Sequence, residues 1–475
     1  MVILICCGLA ITLPRIHNSI CYDEACTVDF VKLVPFNLTG MLADGNNLPA
    51  YYFFMRAWTD VFGLSENALR VPGIIIYLMS VLLVYLFGKR LFPGYGPAFV
   101  AAVFYLLMWI NTFQAGLARP YGMLAFLSTA SLWLFYEIFV MENKSPAAAA
   151  VFIMVNITGS LTHIWFFFAG FAQVMYYLGK KNRIDRRFFA VFAASYLPFF
   201  IIWGGALYSQ LQNESNEWMD FYGNEIGGTF KTFTFAKLND ILLLFCMPVI
   251  AGFCVKKYQK KNWGINGGQL YFLLVIISIS LLVPFIISYY RPIYVTYRGP
   301  IIAAAPFALL IAGYLCSISY RPFFYAVFAL FTVYNYIILY PFVRIDFYNE
   351  RNLTKWIMYG AAKVDTVAIY GEMKRPIHYY LNLYKYNDRA AFVYFPNIME
   401  REWSQSWKKL GENDRNELEK KFYDMIAVPH KRLLFVFAAK DAGYGPIKKV
   451  FEKLNNSKTM VQSQTFFGET LFVYK

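Results

Sequence analysis

The sequence is poor in charge and in the motifs that bind nucleotides or metal ions. Only 15% of its 475 residues are charged, and four are histidine. It contains no G-x-G-x-x-G, G-K-S/T, C-x-x-C or H-E-x-x-H pattern, which excludes the common nucleotide-binding loops and zinc motifs. The seven cysteines build no disulfide framework, because most of them lie in hydrophobic segments, where a buried thiol is usual.

Long hydrophobic segments dominate the chain instead. It is 58% hydrophobic and 20% aromatic, a composition typical of a protein that crosses a membrane several times. The runs to be compared with the roughly 20 apolar residues of a spanning helix are residues 71–87, 97–118, 120–137, 145–179, 188–213, 241–255, 262–290, 299–320 and 322–343. Residues 1–14 are short for a span, and we predict a truncated or tilted first helix there.

The net charge of +15 would suit a nucleic-acid partner, but its distribution argues against one. Basic residues fall in every second connection between apolar segments, at residues 89–90, 144, 180–187, 256–261 and 321. This alternation is the positive-inside pattern and predicts that these loops are cytoplasmic. The candidate site residues named below and everything after Val343 are then extracytoplasmic. We predict a multi-pass protein of the plasma or inner membrane.

Two adjacent carboxylates, Asp23 and Glu24, lie near the start of a predicted outer loop of about residues 15–69. Loops of this length are usually functional, and carboxylates beside an apolar body are rarely there for packing. We predict that both are catalytic. An alternative is that they only cap the following helix at its positive end. Cys21 and Cys26 flank the pair, and a disulfide between them is left open.

The same loop contains a second element. Residues 46–58 are aromatic and amphipathic, which predicts a helix that lies in the membrane interface. Asn47 and Tyr51, at its start, are candidates for substrate binding.

Arg119 and His163 are polar residues at predicted outer ends of apolar segments. An isolated arginine there either binds an anion or reaches the interface by snorkelling. Residues 145–179 lie between two basic loops, so we predict that they go out and return as two short helices that meet at a cavity. His163 falls at that meeting point, as a substrate contact or as a structural hydrogen-bonding residue.

Tyrosines and arginines are interleaved in residues 289–300, which include Arg291, Tyr297 and Arg298. This composition suits a ligand that carries phosphate or sugar, through bidentate hydrogen bonds and ring stacking. It equally suits an aromatic belt with interface anchors.

The composition changes after Val343. Buried strands are predicted at residues 365–370, 390–395 and 432–437, and helices at residues 412–425 and 447–454. Alternating strands and helices predict a small α/β domain. We therefore predict a transmembrane catalytic domain, residues 1–343, and an extracytoplasmic α/β domain, residues 344–475.

An outer-face enzyme without a nucleotide-binding loop needs an activated donor that is already in the membrane, such as a lipid-phosphate sugar. Glycosyl transfer to a hydroxyl needs a carboxylate that removes the proton and cations that stabilise the departing phosphate. Asp23 is the predicted base, and Glu24 would orient the acceptor or the sugar. The predicted phosphate ligands are Arg119, His163, Arg291 and Arg298.

Five short motifs stand in order over about the first 340 residues. They are Asp23-Glu24-Ala25, Leu48-Pro49-Ala50-Tyr51-Tyr52, Ala118-Arg119-Pro120-Tyr121, Leu161-Thr162-His163 and Tyr297-Arg298-Gly299-Pro300. Together they resemble the Asp-Glu, Pro-Pro-Leu-Tyr-Tyr, Ala-Arg-x-Tyr, Thr-His and Arg-Tyr-x-x-Pro motifs of the GT-C membrane glycosyltransferases. The resemblance is to glycosyltransferase family 39, the group with protein O-mannosyltransferases and the lipid A aminoarabinose transferase.

This resemblance implies an α-helical polytopic fold with about 11 transmembrane helices and a polyprenyl-phosphate-linked sugar donor. It implies an extracytoplasmic glycan, lipid or protein acceptor, Asp23 as the base, and Tyr121 among the substrate-binding residues. The chain departs from the family at Asn47, where a His or Lys is frequent, and at Leu117, where an acidic residue is usual. No cofactor is predicted, and a divalent metal ion is left open.

Two other function classes stay open at the sequence level: a transporter or flippase of lipid-linked glycans, and a non-catalytic assembly scaffold. Transporters are often built from two repeats with broken helices near the bilayer midplane, and no internal repeat is evident in this sequence. Turnover of a donor in detergent, without two compartments, distinguishes an enzyme from a transporter.

Overall fold

A computed structural model of the protein describes residues 2–32, 48–180, 186–212, 222–234, 265–317, 321–344, 350–361, 366–370, 374–386, 391–395, 420, 433–438, 460–466 and 469–474. The chain forms two compact units. The first comprises Met1–Ile16 and Val31–Ile345, and the second comprises His17–Phe30 and Asp346–Lys475. No feature of the sequence indicates that residues 17–30 belong with the carboxy-terminal part of the chain.

Helices build the first unit. In chain order they are α1 (Val2–Thr12), α3 (Pro49–Phe62), α4 (Glu66–Leu91), α5 (Tyr95–Leu107), α6 (Trp109–Ala115), α7 (Tyr121–Phe135), α8 (Pro146–Ser160), α9 (Phe166–Lys180), α10 (Arg186–Gln212), α11 (Glu225–Thr234), α12 (Gly267–Ile287), α13 (Ala304–Cys316) and α14 (Arg321–Arg344). The helix α2 (Tyr22–Val31), apart from its last residue, belongs to the second unit.

The protein is an α-helical membrane protein. In the described part of the chain, six helices are long and apolar enough to cross a membrane, or up to eight if each of two bent helix pairs is one span. They are Glu66–Leu91, Tyr121–Val140, Arg186–Ser209, Gly267–Ile287, Gly299–Cys316 and Phe324–Pro341. The number of about 11 stays a prediction, since residues 241–255, one of the predicted spans, lie outside the described residues.

The helix α13 lies at the centre of this bundle. Every one of its residues except Tyr314 is buried. Its sequence is rich in alanine, and small side chains let neighbouring helices approach closely within a membrane. Its Phe307 ring contacts the rings of Phe230 and Phe233 at centroid distances of 5.8 and 5.2 Å.

The helices α5 and α6 form one apolar segment that is bent by 60°. Such a break frees backbone carbonyls, which are costly in hydrocarbon unless they are bonded. The Asn111 side chain donates a hydrogen bond to the Tyr105 carbonyl over 2.8 Å, and the Tyr77 hydroxyl donates to the Leu106 carbonyl. Side chains therefore satisfy the carbonyls at the break, and the bend leads the chain into the turn before α7.

A polar network connects four helices within the apolar interior. The Ser131 hydroxyl, on α7, donates to Asn156 Oδ1, on α8, over 2.8 Å. Gln173 Nε2, on α9, donates to Ser131 Oγ over 2.9 Å, and the Tyr196 hydroxyl, on α10, donates to Asn156 Oδ1 over 3.2 Å. Polar side chains of this kind hold membrane helices together.

The second unit contains a five-stranded sheet of order β2-β1-β3-β5-β4. Its elements after α2 are α15 (Glu350–Ala361), β1 (Thr366–Tyr370), α16 (Lys374–Leu383), β2 (Ala391–Phe395), β3 (Leu433–Ala438), β4 (Met460–Phe466) and β5 (Glu469–Tyr474). The strand β1 pairs in parallel with β2 and β3, and β5 pairs antiparallel with β3 and β4. Apolar residues of β1 and β3 form the core with α15 and α16.

Several sequence predictions can be compared with these elements. Residues 145–179 do form two short helices, α8 and α9, of 15 residues each. The three predicted strands are confirmed as β1, β2 and β3. The predicted helices at 412–425, apart from residue 420, and at 447–454 lie outside the described residues. The boundary between residues 343 and 344, and the outer location of the domain beyond it, stay predictions.

Candidate active site

The carboxylate pair lies in the first turn of α2. Glu24 is fully buried and accepts a hydrogen bond from the backbone N–H of Cys21 over 3.2 Å. The contact stabilises the start of the helix, where an acidic side chain is favoured, so the capping interpretation suits Glu24. Asp23 is only half-buried. Because successive helix residues are about 100° apart, the two carboxylates face different sides of α2, and Asp23 is the one that keeps exposed surface. Cys21 and Cys26 are free thiols.

A second set of candidates lies in the first unit, at the turn between α8 and α9. The backbone N–H of Trp165 donates to His163 Nδ1 over 3.2 Å. Burial, with smaller effects of the positive charges of Arg119 and Arg298, lowers the pKa of His163 to about 3. The imidazole is therefore neutral at pH 7 and carries its proton on Nε2. In the protein without a bound anion it can donate a hydrogen bond, but it carries no positive charge.

Arg119, Tyr121 and Arg298 come together around this imidazole. Arg119 lies in the turn before α7, where its backbone N–H donates a hydrogen bond to the Leu117 carbonyl over 2.9 Å. The Tyr121 ring lies 5.2 Å from the His163 ring. The guanidinium carbon of Arg298 lies 5.9 Å from the Tyr121 ring centroid. We call Arg119, Tyr121, His163 and Arg298 the arginine–histidine cluster.

The start of α3 is attached to the same turn. The Ala50 N–H donates to the Leu161 carbonyl over 2.9 Å, two residues before His163. Tyr51, the next residue along α3, is 4% exposed. The Pro-Ala-Tyr-Tyr stretch and the Thr-His segment are thus joined by a backbone bond. Asn47 lies outside the described residues.

Arg291 and Tyr297 occupy the connection between α12 and the short 3-10 helix Gly299–Ala303. Arg291 is half-buried in the turn after α12, and it is not among the charges that lower the pKa of His163. The Tyr297 ring meets the Phe113 ring edge to face at 6.2 Å. The guanidinium carbon of Arg298 lies 5.7 Å from the Tyr297 ring centroid, so Tyr297 borders the cluster.

Gln114 is a residue of this region that the sequence analysis did not single out. It is 1% exposed, and its side-chain amide donates to the Tyr297 carbonyl. The bond fixes the backbone immediately before Arg298. A polar side chain at the end of a long apolar run was the available signal, because such a residue needs a buried partner.

Trp165 and Gly299 form a close contact beside the cluster. A Cβ atom on residue 299 would lie 1.9 Å from Trp165 Cδ2, so only glycine fits there. Trp165 is 4% exposed, and its ring contacts the Tyr294 ring at 5.4 Å. This packing fixes Trp165, whose backbone N–H donates a hydrogen bond to His163 Nδ1.

Arg15 is a further buried cation of the first unit, at 2% exposure. Its guanidinium carbon lies 5.0 Å from the Phe113 ring centroid, and a Cβ on Gly116 would lie 3.0 Å from its Nε atom. Arg70 donates to the Arg15 carbonyl over 3.3 Å. The signal in the sequence is a charge directly after an apolar segment, but Arg15 is also the first residue of the predicted outer loop, residues 15–69.

The cluster has the chemistry of an anion site. Two guanidinium groups supply paired donors that match phosphate oxygens, and the Nε2–H of His163 supplies one more. Among the described residues, no group of three or more His, Cys, Asp or Glu side chains could hold a metal ion.

Comparison with solved structures establishes that the chain has the GT-C fold of membrane proteins. The chain is similar to ArnT from Cupriavidus metallidurans in the apo state, with a TM-score of 0.62 and 11% identity over 99% of this chain and 97% of that chain. The same protein bound to undecaprenyl phosphate gives a TM-score of 0.59 with the same identity and coverage.

A third similar structure is the Archaeoglobus fulgidus oligosaccharyltransferase tethered with an acceptor peptide. It has a TM-score of 0.54 and 12% identity over 100% of this chain and 73% of that chain. Neither a protein-family model nor a curated protein sequence matches the chain. At these identities the similarity confirms the predicted GT-C fold.

Proposed function

We propose that the protein is a membrane glycosyltransferase that moves a sugar from a polyprenyl-phosphate-linked donor to a hydroxyl of an extracytoplasmic glycan, lipid or protein. The observation that carries the proposal is the arginine–histidine cluster, two guanidinium groups beside a neutral imidazole in a GT-C body. The similar ArnT structure with bound undecaprenyl phosphate supports a lipid phosphate as the ligand of this cluster.

The cluster suits the leaving group of such a reaction. When the bond between the sugar and the phosphate oxygen breaks, the phosphate gains negative charge, and fixed positive groups stabilise that charge. Arg119 and Arg298 are always protonated. His163 is neutral, so its Nε2–H can donate a hydrogen bond to a phosphate oxygen. No proton is transferred from His163 to the leaving polyprenyl phosphate. The leaving phosphate needs no general acid, because its pKa is low.

Asp23 is the proposed base. Its carboxylate accepts the proton of the acceptor hydroxyl as the acceptor oxygen forms a bond to the anomeric carbon. The bond between that carbon and the phosphate oxygen breaks, and its electron pair leaves with the polyprenyl phosphate. The protonated Asp23 then releases its proton to water. Glu24 is buried and bonded to the start of α2, which favours a role in holding Asp23 rather than in contacting the acceptor.

The direct test is transfer in detergent with a polyprenyl-phosphate sugar supplied as donor. General-base catalysis contributes on the order of 10²–10⁴-fold, so Asp23→Asn should lower kcat by about that factor and leave donor binding intact. Full transfer by Asp23→Asn would contradict the proposal. No turnover in detergent, together with transport of the donor across the membrane of reconstituted vesicles, would instead support a flippase.

The outer location of the site can be tested by thiol labelling. Tyr290, which is 90% exposed, lies in a connection predicted to be outside, and the exposed Lys144 lies in one predicted to be cytoplasmic. In a background without native cysteines, a membrane-impermeant maleimide added to intact cells should label Tyr290→Cys and not Lys144→Cys. The reverse pattern would contradict the orientation.

A further inference from the structure

The segment that carries Asp23 is held by residues more than 300 positions further along the chain. The Ile20 N–H donates to the Tyr380 hydroxyl over 2.7 Å, and both residues are fully buried. The Arg351 side chain donates to the His17 carbonyl, and its backbone N–H donates to Ser19 Oγ over 3.4 Å. All of these contacts lie within the second unit.

Arg375 extends this attachment along one face of α2. Its guanidinium lies 3.4 Å from Asp29 Oδ2 and 5.6 Å from the centre of the Tyr22 ring, and it is hydrogen-bonded to Cys26. Tyr22, Cys26 and Asp29 are spaced i, i+4 and i+7, which places them on one stripe of a helix. One side chain of α16 therefore lies beside three residues of α2, from Tyr22 to Asp29.

One side of α2 is buried. Ala25 and Val28 are 1% and 2% exposed, and Glu24 is fully buried. Attachments before the helix and along one stripe leave little freedom to rotate α2 about its axis. Asp23 is then the first-turn carboxylate that stays partly exposed.

We propose that the carboxy-terminal α/β domain is a positioning element for the base, with Tyr380 and Arg375 as the positioning residues that set the place and rotation of the Asp23 helix. This inference rests on the proposed function, because it presumes that Asp23 acts on the acceptor. It assigns the domain a part in the chemical step rather than in anchoring or recognition alone.

The experiment compares Tyr380→Phe, Arg375→Met and the conservative Arg375→Lys with a control in the same domain. Tyr380→Phe keeps the ring, which packs on Tyr379 at 4.9 Å, and removes only the hydroxyl that binds Ile20. The control is Val436→Ala. Val436 is fully buried in the apolar core of the sheet, and this core contains no residue of the 17–30 segment.

We expect Tyr380→Phe and Arg375→Met to lower kcat by on the order of 10- to 100-fold, because small displacements of a catalytic group have effects of this size. The KM for the donor should stay at its wild-type value, and Arg375→Lys should recover part of the rate. Amide hydrogen exchange in residues 17–30 should become faster in both variants. Val436→Ala should lower the melting temperature and leave kcat and this exchange unchanged.

Two results would overturn the inference. Wild-type kcat in Tyr380→Phe and Arg375→Met, with Asp23→Asn inactive, would show that the contacts do not position the base. A loss of kcat in Val436→Ala as large as in the two variants would show that only domain stability matters. Full activity of Asp23→Asn would instead refute the proposed function, and hydrogen exchange would still report whether these residues hold α2.

Discussion

The arginine–histidine cluster and the Asp23 helix are built in different ways. The cluster uses turns at the ends of apolar helices, where short-range backbone bonds such as Arg119 to Leu117 set the geometry. The Asp23 helix lies in the second unit and depends on partners such as Tyr380, which is 360 positions from Ile20 in sequence. Charge differs as well, since the cluster carries cations and the helix carries carboxylates.

This comparison indicates a division of labour between binding and chemistry. If the cluster binds the donor phosphate, changes there should alter donor affinity, whereas changes in the second unit should alter kcat. The following predictions test that separation, beginning with the largest expected effect.

Arg298→Gln should raise the KM for the donor by tens to about a hundredfold, because a hydrogen bond to a charged group is worth about 1.5–3 kcal/mol. Arg298→Lys should keep part of the affinity, since it keeps the charge but loses the planar fork. The measurement is transfer at varied donor concentration, with the exposed Arg186→Gln as a charge-matched control. An unchanged KM in Arg298→Gln would remove the cluster from donor binding.

Gly299→Ala should destabilise the first unit by about 1–3 kcal/mol, because the new methyl group would overlap Trp165. The displaced Trp165 should also disturb His163, so donor affinity should fall together with the melting temperature. Gly122→Ala is the matched control: it lies next to Tyr121, and a Cβ there has no neighbour within 4 Å. Equal melting temperatures for the two variants would contradict the close packing.

His163 should make the folded protein sensitive to acid. Its pKa is lowered to about 3, whereas histidine in an unfolded chain has a pKa of about 6.5. The contribution of the neutral imidazole to the free energy of unfolding is thus fully present above about pH 6.5. It is lost as the pH falls toward 3, by at most about 1.4 kcal/mol per pH unit.

His163→Asn should therefore flatten the fall of melting temperature between pH 6.5 and 4, because asparagine gains no proton on unfolding. The check is thermal unfolding of the two proteins in the same detergent over this pH range. Parallel curves for wild type and variant would show that His163 titrates normally in the folded protein.

Gln114→Leu should have the smallest effect, a loss of about 1 kcal/mol for the hydrogen bond to the Tyr297 carbonyl. Donor affinity should fall severalfold, since this carbonyl precedes Arg298. The control is Gln269→Leu, which removes a bond of the same type to the Leu91 carbonyl at the end of α4 and also the capping bond from the Asn266 N–H. That variant should lose stability without losing affinity, and the same affinity in both variants would contradict a role for Gln114 in the cluster.

Much of the fold follows from patterns within short windows of sequence. The 35 residues between two basic loops are too many for one span and too few for two, so α8 and α9 and the turn at His163 could be predicted. Apolar runs rich in Val, Phe and Tyr indicated β1, β2 and β3. Arg119 and Arg298 could be singled out because charges between apolar segments are costly.

Other features depend on contacts that no local pattern contains. The grouping of residues 17–30 with the carboxy-terminal domain rests on pairs such as Ile20 with Tyr380, which only the folded chain brings together. The neutral state of His163 depends on burial and on a bond from Trp165, whereas its residue type alone predicts a group that stabilises the phosphate charge. Arg15 resembled a loop residue, and its burial reflects packing on Phe113.

The network of Ser131, Asn156, Gln173 and Tyr196 has a consequence for how the bundle assembles. A slide of any one of these helices along the membrane normal by one turn, about 5.4 Å, would separate an amide or hydroxyl from its partner. Hydrocarbon contacts alone tolerate such a slide, because one apolar surface resembles the next. The four side chains thus fix the relative positions of α7 to α10 along the membrane normal. The position of the turn at His163, between α8 and α9, is fixed with them.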